Sequence, residues 1–297
     1  MRCRDWIRID VRDGPVTDRA SFASSSDNAQ HMKQLIFDCR EMFAEQFQYR
    51  ELLYEMTRRD LLIRYKQTIM GFGWAVFTPL VNTAVFSIIF TRVAPISTNV
   101  PYPLFAFCGL LAWNFSASTL RSSVSSLTSN SGLVTKVYFP REIFPFSTML
   151  VALVDLVVGS SVLIALMAWF RVFPSKYIVF LPMVVLVHVV FTAAVALFVA
   201  MANLFFRDVK YIFEVVITLW MFATSVLYPI RTMAGRLGVL LRLNPMSAII
   251  DGYRDVIFGA HAPDWASLAA AAMLSVVMLL AAWVQFHRSE FEFAERI

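Results

Sequence analysis

The carboxyl group of Asp155 is the first candidate for chemistry, because it is the only charged group in the apolar stretch 146–170. Ionisable side chains inside a membrane are costly and usually serve transport or proton transfer. Pairing with a polar group near the membrane edge is the structural alternative, and the residues favour neither. A proton-coupled transporter should carry more than one such acid, and Glu214, beside another apolar stretch, is a weak second.

Metal and thiol chemistry is not expected, and we predict no metal site. The four histidines form no H-E-x-x-H pair, and the three cysteines are too widely spaced for a zinc site or a disulfide framework. His188 lies within an apolar stretch, where a hydrogen bond to a neighbouring helix is the expected role. These residues are His31, His188, His261 and His287, with Cys3, Cys39 and Cys108.

The sequence also lacks the motifs of several enzyme classes. It contains no G-x-x-x-x-G-K-[ST] phosphate loop, no D-x-D pair at a membrane edge and no G-x-S-x-G nucleophile elbow. The chain therefore has no phosphate loop with which to hydrolyse ATP. We do not expect an enzyme that acts on its own.

The composition places these residues in a membrane. Of 297 residues, 58% are hydrophobic and 16% are charged, against about 45–50% and about 25% in soluble domains. A chain this apolar is expected to be an integral membrane protein. A disordered chain, a coiled coil and a disulfide-stapled fold are excluded as descriptions of the whole sequence.

Six charge-poor stretches are long enough to cross a membrane, since about 20 helical residues span the roughly 30 Å hydrocarbon core. The sequence therefore predicts an all-α integral membrane protein with six transmembrane helices. Because the first stretch begins near residue 70, no cleaved signal peptide is expected. The predicted spans are 72–91, 103–119, 146–170, 177–204, 211–229 and 265–286.

Lys and Arg are distributed unequally between the two sides of the membrane. With six spans both termini lie on one side, which carries 19 of the 26 basic residues. The positive-inside rule places that side, and both termini, in the cytoplasm. Topology thus explains the net charge of +5, and nucleic-acid binding is not expected.

The residues before the first span divide into two regions. Residues 1–30 are polar and Ser-rich and are predicted to be a disordered extension, with Met32 as an alternative start. From Met32 to Phe47 apolar residues recur at helical spacing. We predict an amphipathic helix on the cytoplasmic membrane interface, with docking on protein as the alternative. The domain prediction is an interface region at 31–66, a transmembrane domain at 67–290 and a cytoplasmic tail at 291–297.

Two polar segments have open interpretations. In 51–66 basic residues alternate with Glu55 and Asp60, which suits either a topology anchor near anionic lipid or a protein surface. The connection 121–145 is long for a loop between spans, and its part 136–142 mixes aromatics with both charges. Exposed aromatics there would favour a protein contact, and anchoring at lipid headgroups is the alternative.

The segment 231–264 is too apolar for a solvated loop and is broken too often by Gly and Pro to form a span. Short re-entrant helices, buried in protein or lining a cavity, fit this pattern best. We therefore predict re-entrant helices between spans five and six, a feature that favours transport.

Several short motifs follow one another from about residue 50 to the end. They are Arg59-Asp60-Leu61; Arg64-Tyr65-Lys66-Gln67-Thr68 with Gly71, Trp74 and Pro79; Pro101-Tyr102-Pro103-Leu104-Phe105 with Gly109-Leu110 and Trp113; Lys136-Val137-Tyr138-Phe139-Pro140-Arg141-Glu142 with Pro145; Phe206-Arg207-Asp208-Val209; Tyr228-Pro229; and Asn244-Pro245 with Tyr253-Arg254. The ordered set resembles the membrane subunit of ABC-2 type transporters that export polysaccharides.

The resemblance implies a six-helix half-transporter in the bacterial inner membrane that works as a homodimer. A separate ABC ATPase subunit would bind on the cytoplasmic side and hold the ATP and Mg²⁺, so this chain would need no cofactor. The cargo would be a lipid-linked glycan such as O-antigen, capsule or teichoic acid, taken up from within the membrane lipid.

The resemblance also implies roles for particular residues. The ATPase contact and cytoplasmic gate would include Arg59, Asp60, Arg64, Tyr65, Lys136, Tyr138, Phe139, Pro140, Arg141 and Glu142. Aromatic side chains bordering the glycan channel would be Trp74, Trp113, Phe115 and Tyr228. The outer gate would include Asn244, Pro245, Tyr253 and Arg254.

Two other functions remain as alternatives to polysaccharide export. One is an ABC-2 type exporter of drugs or lipids. The other is a membrane-embedded enzyme that modifies glycans, against which the lack of paired acids argues.

Overall fold

A computed structural model of the chain describes residues 47–66, 71, 73–93, 95–136, 139–230, 235–259 and 262–296. Within these ranges the regular structure is helical and no strand occurs, which confirms the all-α prediction. The helices are α1 (Arg50–Tyr65), α2 (Gly73–Ile88), α3 (Tyr102–Ser129), α4 (Ser131–Lys136), α5 (Ile143–Trp169), α6 (Leu181–Phe205), α7 (Val209–Phe222), α8 (Gly235–Arg242), α9 (Pro245–Phe258) and α10 (Trp265–Arg296).

Five helical segments in the described part of the chain are long and apolar enough to cross a membrane. They correspond to five of the six predicted spans. The remaining prediction, 211–229, falls on α7, whose 14 residues rise about 21 Å and end short of a full hydrocarbon core. The five segments are Val76–Val93, Tyr102–Ser129, Ile143–Trp169, Lys176–Phe205 and Trp265–Ser289.

Helix α3 is the central element of the fold. It packs against α2, α5, α6, α7 and α9, and most of its side chains are buried. Because lipid is as apolar as these side chains, close packing rather than escape from water holds such helices together. By contrast α2 exposes much of one face, including Trp74, Phe77, Val81 and Val85.

The prediction of a long loop at 121–145 was wrong for its first half. Helix α3 continues to Ser129, and α4 follows after Asn130. The polar residues continue the helix because their side chains find partners: Ser123 Oγ lies 2.7 Å from Thr148 Oγ1 on α5, and Ser126 donates to the Ser123 carbonyl. Satisfied hydroxyl groups are compatible with a helix buried in protein.

The structure describes the two chain ends unequally. Helix α10 extends to Arg296, so the predicted tail 291–297 is helical over nearly all its length. The extension 1–30 and nearly all of the amphipathic helix 32–47 fall outside the described residues. Phe47, at its end, is exposed.

The segment 231–264 contains two short helices, as its broken apolar pattern suggests. Helix α8 is exposed through Val239 and Leu240, while α9 is largely buried. Helix α9 packs against α3, α6 and α10. Pro245 stands in its first turn, where a missing N–H group costs nothing.

Candidate transport pathway and gates

A cavity of about 550 Å³ lies between α1, α2, α3 and α5. We call it the polar groove. Its wall combines the charged groups Arg64, Arg121 and Asp155 with the Asn114 amide, several hydroxyl groups and three aromatic side chains. Trp74 and Phe115, both predicted to border the channel, line this groove. A surface of hydrogen-bonding groups beside aromatic faces can accept sugar hydroxyls and C–H faces together.

Asp155 is paired rather than isolated. Its Oδ2 lies 2.9 Å from an Arg64 guanidinium nitrogen, and its Oδ1 accepts a hydrogen bond from the Tyr65 hydroxyl. Burial, together with this hydrogen bond, raises the pKa of the Tyr65 hydroxyl above its usual value, so the group stays protonated and donates. The sequence left open whether Asp155 serves transport or pairs with a polar group. The structure shows such a pair, and both of its residues lie in the groove wall.

Helix α1 is attached to the membrane domain by two further residues. Arg59 contacts Asp60 at 2.8 Å and donates to the Asn130 side-chain oxygen at 3.1 Å. Ser147 Oγ on α5 donates to the second oxygen of Asp60 at 3.2 Å. The predicted ATPase-contact residues of α1 therefore hold α1 against α3 and α5.

The segment 139–145 is folded into the protein. The sequence suggested an exposed aromatic here, and that was wrong for Phe139, which is buried and packs on Phe144 with ring centroids 5.5 Å apart. Pro140 is buried beside it. Arg141 donates to the Val134 carbonyl at 3.3 Å, which ties the segment to α4.

Glu142 is the buried acid of this segment, at 1% side-chain exposure, and lies 3.5 Å from His287 Nδ1 on α10. A carboxyl group so placed connects the start of α5 to the last helix. Lys136 ends α4. The Lys136 side chain and all of Tyr138 lie outside the described residues.

Arg254, a predicted outer-gate residue, is buried at the centre of a hydrogen-bond cluster. Its guanidinium group donates to the carbonyls of Phe105, Ser225 and Val226 and contacts Asp251 at 3.4 Å. It also lies over the Phe105 ring, 3.5 Å from the centroid. Its five donors can serve several buried carbonyls at once, two of them in the turn that follows α7.

The same turn is held by two other side chains. Asn244 caps α9 by accepting from the Met246 amide at 3.1 Å, and it donates to the Ala223 carbonyl at 3.1 Å. The Tyr102 hydroxyl donates to the Leu227 carbonyl at 2.9 Å. Irregular backbone can lie at membrane depth only if its polar groups are satisfied in this way.

A buried polar chain joins α3, α6 and α9. His188 Nε2 lies 2.7 Å from Ser116 Oγ, and Nδ1 lies 3.2 Å from the Tyr253 hydroxyl. The Ser116 hydroxyl also contacts Thr192 at 2.9 Å. The expected hydrogen bond of His188 to a neighbouring helix is confirmed. Tyr253, a predicted outer-gate residue, takes part in this core contact.

The structure does not bring all four predicted channel aromatics together. Trp113 is buried away from the polar groove and packs edge-on against Trp220 of α7, with centroids 5.7 Å apart. Tyr228 lies in the turn after α7, where its hydroxyl donates to the Phe222 carbonyl. Only Trp74 and Phe115 share the groove.

Some groove residues had no role in the sequence analysis. Asn114 and Ser118 lie on α3 in the groove wall, and Ser118 accepts a hydrogen bond from Arg64 at 2.9 Å. Arg121, also in the wall, pairs with Glu214 of α7 at 3.0 Å. A polar amide inside the apolar stretch 103–119 was the available signal for Asn114, whereas the partner of Arg121 is distant in sequence.

The described part of the chain thus combines five helices long enough to cross a membrane with a polar groove between α1, α2, α3 and α5. The family model for the ABC-2 type transporter matches residues 51–258. This chain belongs to the ABC-2 type transporter membrane family, as its motifs predicted. Membership assigns it to transport rather than to catalysis.

The chain is also similar in sequence to several named transport proteins. The chain is similar to the O-antigen export system permease protein RfbA of Myxococcus xanthus, with 34% identity over 256 residues that cover 85% of this chain and 98% of that protein. A protein of the same name from Klebsiella pneumoniae is 25% identical over 82% of this chain and 94% of its own length. The polysialic acid transport protein KpsM of Escherichia coli is 21% identical over 74% of this chain and 86% of its own.

Proposed function

We propose that this chain is the permease subunit of an ATP-driven exporter that moves a lipid-linked polysaccharide across the bacterial inner membrane. The polar groove carries the proposal, because it offers hydrogen-bonding and aromatic groups to sugars at the end of α1. The names of the similar proteins, which concern O-antigen export and polysialic acid transport, support this cargo class.

A pathway through the protein is required by the chemistry of the cargo. Sugar hydroxyls cannot cross hydrocarbon unpaired, since each unsatisfied polar group costs several kcal/mol. Two copies of the chain would enclose the pathway between them. The power stroke would come from an ABC ATPase subunit that holds ATP and Mg²⁺, and this chain would bind neither.

The hydrogen-bond cluster around Arg254 supports a sixth membrane crossing, made of α7 and the turn that follows it. The helix is too short alone, and its turn is satisfied by Arg254, Asn244 and Tyr102 from other elements. With this crossing both termini lie on the cytoplasmic side, in agreement with the distribution of basic residues. Helices α8 and α9 would then form a re-entrant outer gate.

The cytoplasmic gate would move through α1 and the segment 139–145. Arg59, Asp60, Arg64 and Tyr65 tie α1 to the helices around the groove. A push from the ATPase on α1 or on α4 would therefore change the groove opening directly.

Reconstitution tests the proposal. The chain, co-purified with its ATPase subunit in proteoliposomes, should move a lipid-linked glycan only with ATP and stimulate the ATPase when the glycan is present. A matched variant, Asn114→Trp, fills the groove and should lower both activities while leaving ATPase association intact. Transport by the chain alone, or turnover of the lipid-linked sugar without ATP, would refute the proposal.

A deletion strain separates the alternative cargo classes. Loss of surface polysaccharide, restored by the wild-type chain and not by Asn114→Trp, is the expected result. Normal surface polysaccharide together with lost drug resistance would instead support an exporter of drugs.

A further inference from the structure

A second cavity, of about 390 Å³, lies where α3, α4, α6 and α7 meet. We call it the basic pocket. It is separate from the polar groove and has no residue in common with it. Its wall includes Thr128, Asn203, Arg207, Lys210 and Tyr211, with Asp208 beside them.

The charge of this wall favours an anion. Arg207 and Lys210 are exposed, and among the described residues neither forms an ion pair or a hydrogen bond. Asp208 offsets one of the two positive charges, which leaves the wall with one net positive charge. Arg and Lys side chains in this arrangement suit the oxygens of a phosphate group.

Asn203 distinguishes the pocket from a chance pair of surface cations. Asn203 lines the cavity although the residue is only 4% exposed, and its Oδ1 has no hydrogen-bond partner in the part of the chain that the structure describes. A buried amide without a partner costs free energy that a ligand can recover. An amide offers one acceptor and two donors, so a phosphate ester that carries a hydroxyl group would satisfy it.

The surface beside the pocket is apolar. Beginning at Tyr211, one face of α7 exposes Val215 and Leu219 at intervals of four residues, with Ile212 and Val216 alongside. This stripe runs from the cationic mouth along the length of the helix. A cationic pocket continuous with such a stripe matches an amphiphile with a phosphate head and an apolar tail.

We propose that the basic pocket binds the phosphate group of a membrane lipid, with the lipid chain lying along α7. Arg207 and Lys210 hold the phosphate oxygens, and Asn203 bonds to a neighbouring polar group of the head. The inference goes beyond the proposed function and does not require it, because any phosphate-bearing lipid, including the carrier of a glycan, presents this chemistry.

Native mass spectrometry of the full-length chain released from micelles tests the proposal. The probes are phosphatidylglycerol, polyprenyl phosphate, phosphatidylcholine and inorganic phosphate. Phosphatidylglycerol or polyprenyl phosphate should be retained roughly tenfold less by the double variant Arg207→Gln/Lys210→Gln than by the wild type. Preference for polyprenyl phosphate identifies a carrier lipid, and equal retention of both identifies bulk phospholipid; either supports the site.

Two variants separate the pocket from general surface charge. Arg50→Gln/Arg58→Gln removes the same charge from helix α1 and should leave retention unchanged. Asn203→Leu removes no charge and should still weaken retention. Equal loss in the Arg50/Arg58 control, or no loss in the Arg207/Lys210 variant, overturns the proposal. If Asn203→Leu does not fold, the comparison of the two charge variants still decides.

Other occupants are outcomes of the same experiment. Retention of inorganic phosphate as strong as that of the lipids would mean a site for free anions and would overturn the lipid assignment. Loss of the co-purifying ATPase subunit in the Arg207/Lys210 variant, without a change in lipid retention, would mean a protein contact and would overturn it too. If no ATPase subunit is found to associate with the chain but the chain still retains the lipids, the proposed function fails and the lipid site is supported.

Discussion

Arg64 and Asp155 form an ion pair of 2.9 Å between α1 and the long apolar helix α5. The two residues are 91 positions apart in the sequence, so the pair closes a long loop of chain. The Asp155 side chain is 18% exposed and that of Arg64 is 41% exposed, which places the pair between a surface contact and a buried one. Helix α1 is thus attached to the membrane domain at the wall of the polar groove.

Replacement of Asp155 by Asn should loosen α1. The amide keeps an acceptor for Tyr65 but loses the charge that attracts Arg64, so we expect a loss of about 1–3 kcal/mol in the free energy of unfolding. Thermal unfolding in detergent measures the loss, and cleavage of α1 by limited proteolysis should become faster.

The matched control for Asp155→Asn is Arg58→Gln. Arg58 pairs with Glu55 at 3.5 Å, and both side chains are 61% exposed. Exposed pairs contribute little, so the control should change stability by less than about 0.5 kcal/mol. Equal effects of the two variants would show that the Arg64–Asp155 pair does not hold α1.

The variant Arg254→Lys tests how Arg254 braces the turn after α7. Lysine keeps the positive charge but cannot donate at once to the carbonyls of Phe105, Ser225 and Val226. Because these carbonyls are buried, we expect a loss of at least about 3 kcal/mol in stability or failure of the chain to accumulate in the membrane.

Arg236, exposed on α8, supplies the control for this brace. Arg236→Lys makes the same chemical change at an exposed position, and we expect no measurable change in unfolding temperature or membrane yield. If Arg254→Lys is as stable as the wild type, the Arg254 guanidinium group does not hold the turn after α7.

Gly109 allows α3 to approach that brace. A Cβ atom at Gly109 would overlap the Arg254 guanidinium group and would lie 2.5 Å from the Val226 carbonyl oxygen. Gly109→Ala should therefore destabilise the protein by about 1–3 kcal/mol, as overpacking does. The unfolding temperature in detergent is the measurement.

Gly132 in α4 is the matched glycine. Nothing lies within 4 Å of a Cβ atom built there, and alanine favours a helix over glycine by up to about 1 kcal/mol. Gly132→Ala should leave stability unchanged or raise it slightly. A neutral Gly109→Ala would mean that the turn shifts freely away from α3.

The apolar stretches of the sequence predicted five long helices well because charge is costly in lipid. Prediction from hydropathy was wrong where polar side chains form hydrogen bonds inside the protein. Ser123 and Ser126 looked like loop residues, yet they continue α3, since their hydroxyls bond to Thr148 and to the helix backbone. A hydropathy pattern does not show which hydrogen-bond partners a polar side chain will have.

The residues of the candidate site could be predicted from the sequence, but their arrangement could not. The motif order identified Arg64, Tyr65 and Trp74, and the single intramembrane acid identified Asp155. Their meeting in one groove depends on contacts between α1 and α5, which no local pattern encodes. Trp113 shows the reverse case: its motif position suggested the channel, but its side chain packs on Trp220, a contact across 107 residues of sequence.

The last prediction concerns Trp74, which is 47% exposed and lines the polar groove. Its ring packs edge-on against Phe77 at 5.7 Å, and this leaves a face that can stack on a sugar. Stacking of this kind contributes about 0.5–1.5 kcal/mol, so Trp74→Ala should lower the glycan-stimulated rate of the ATPase-bound complex roughly 2- to 10-fold with unchanged basal rate.

Trp169, at the end of α5, separates stacking from the mere loss of an aromatic residue. It is 82% exposed and lies outside the groove, so Trp169→Ala should leave the stimulated rate unchanged. Trp74→Phe should restore most of the lost rate, because a phenyl ring still offers a face to the sugar, whereas Trp74→Leu should not. If Leu restores the rate as well as Phe does, then Trp74 fills space and does not stack on the glycan.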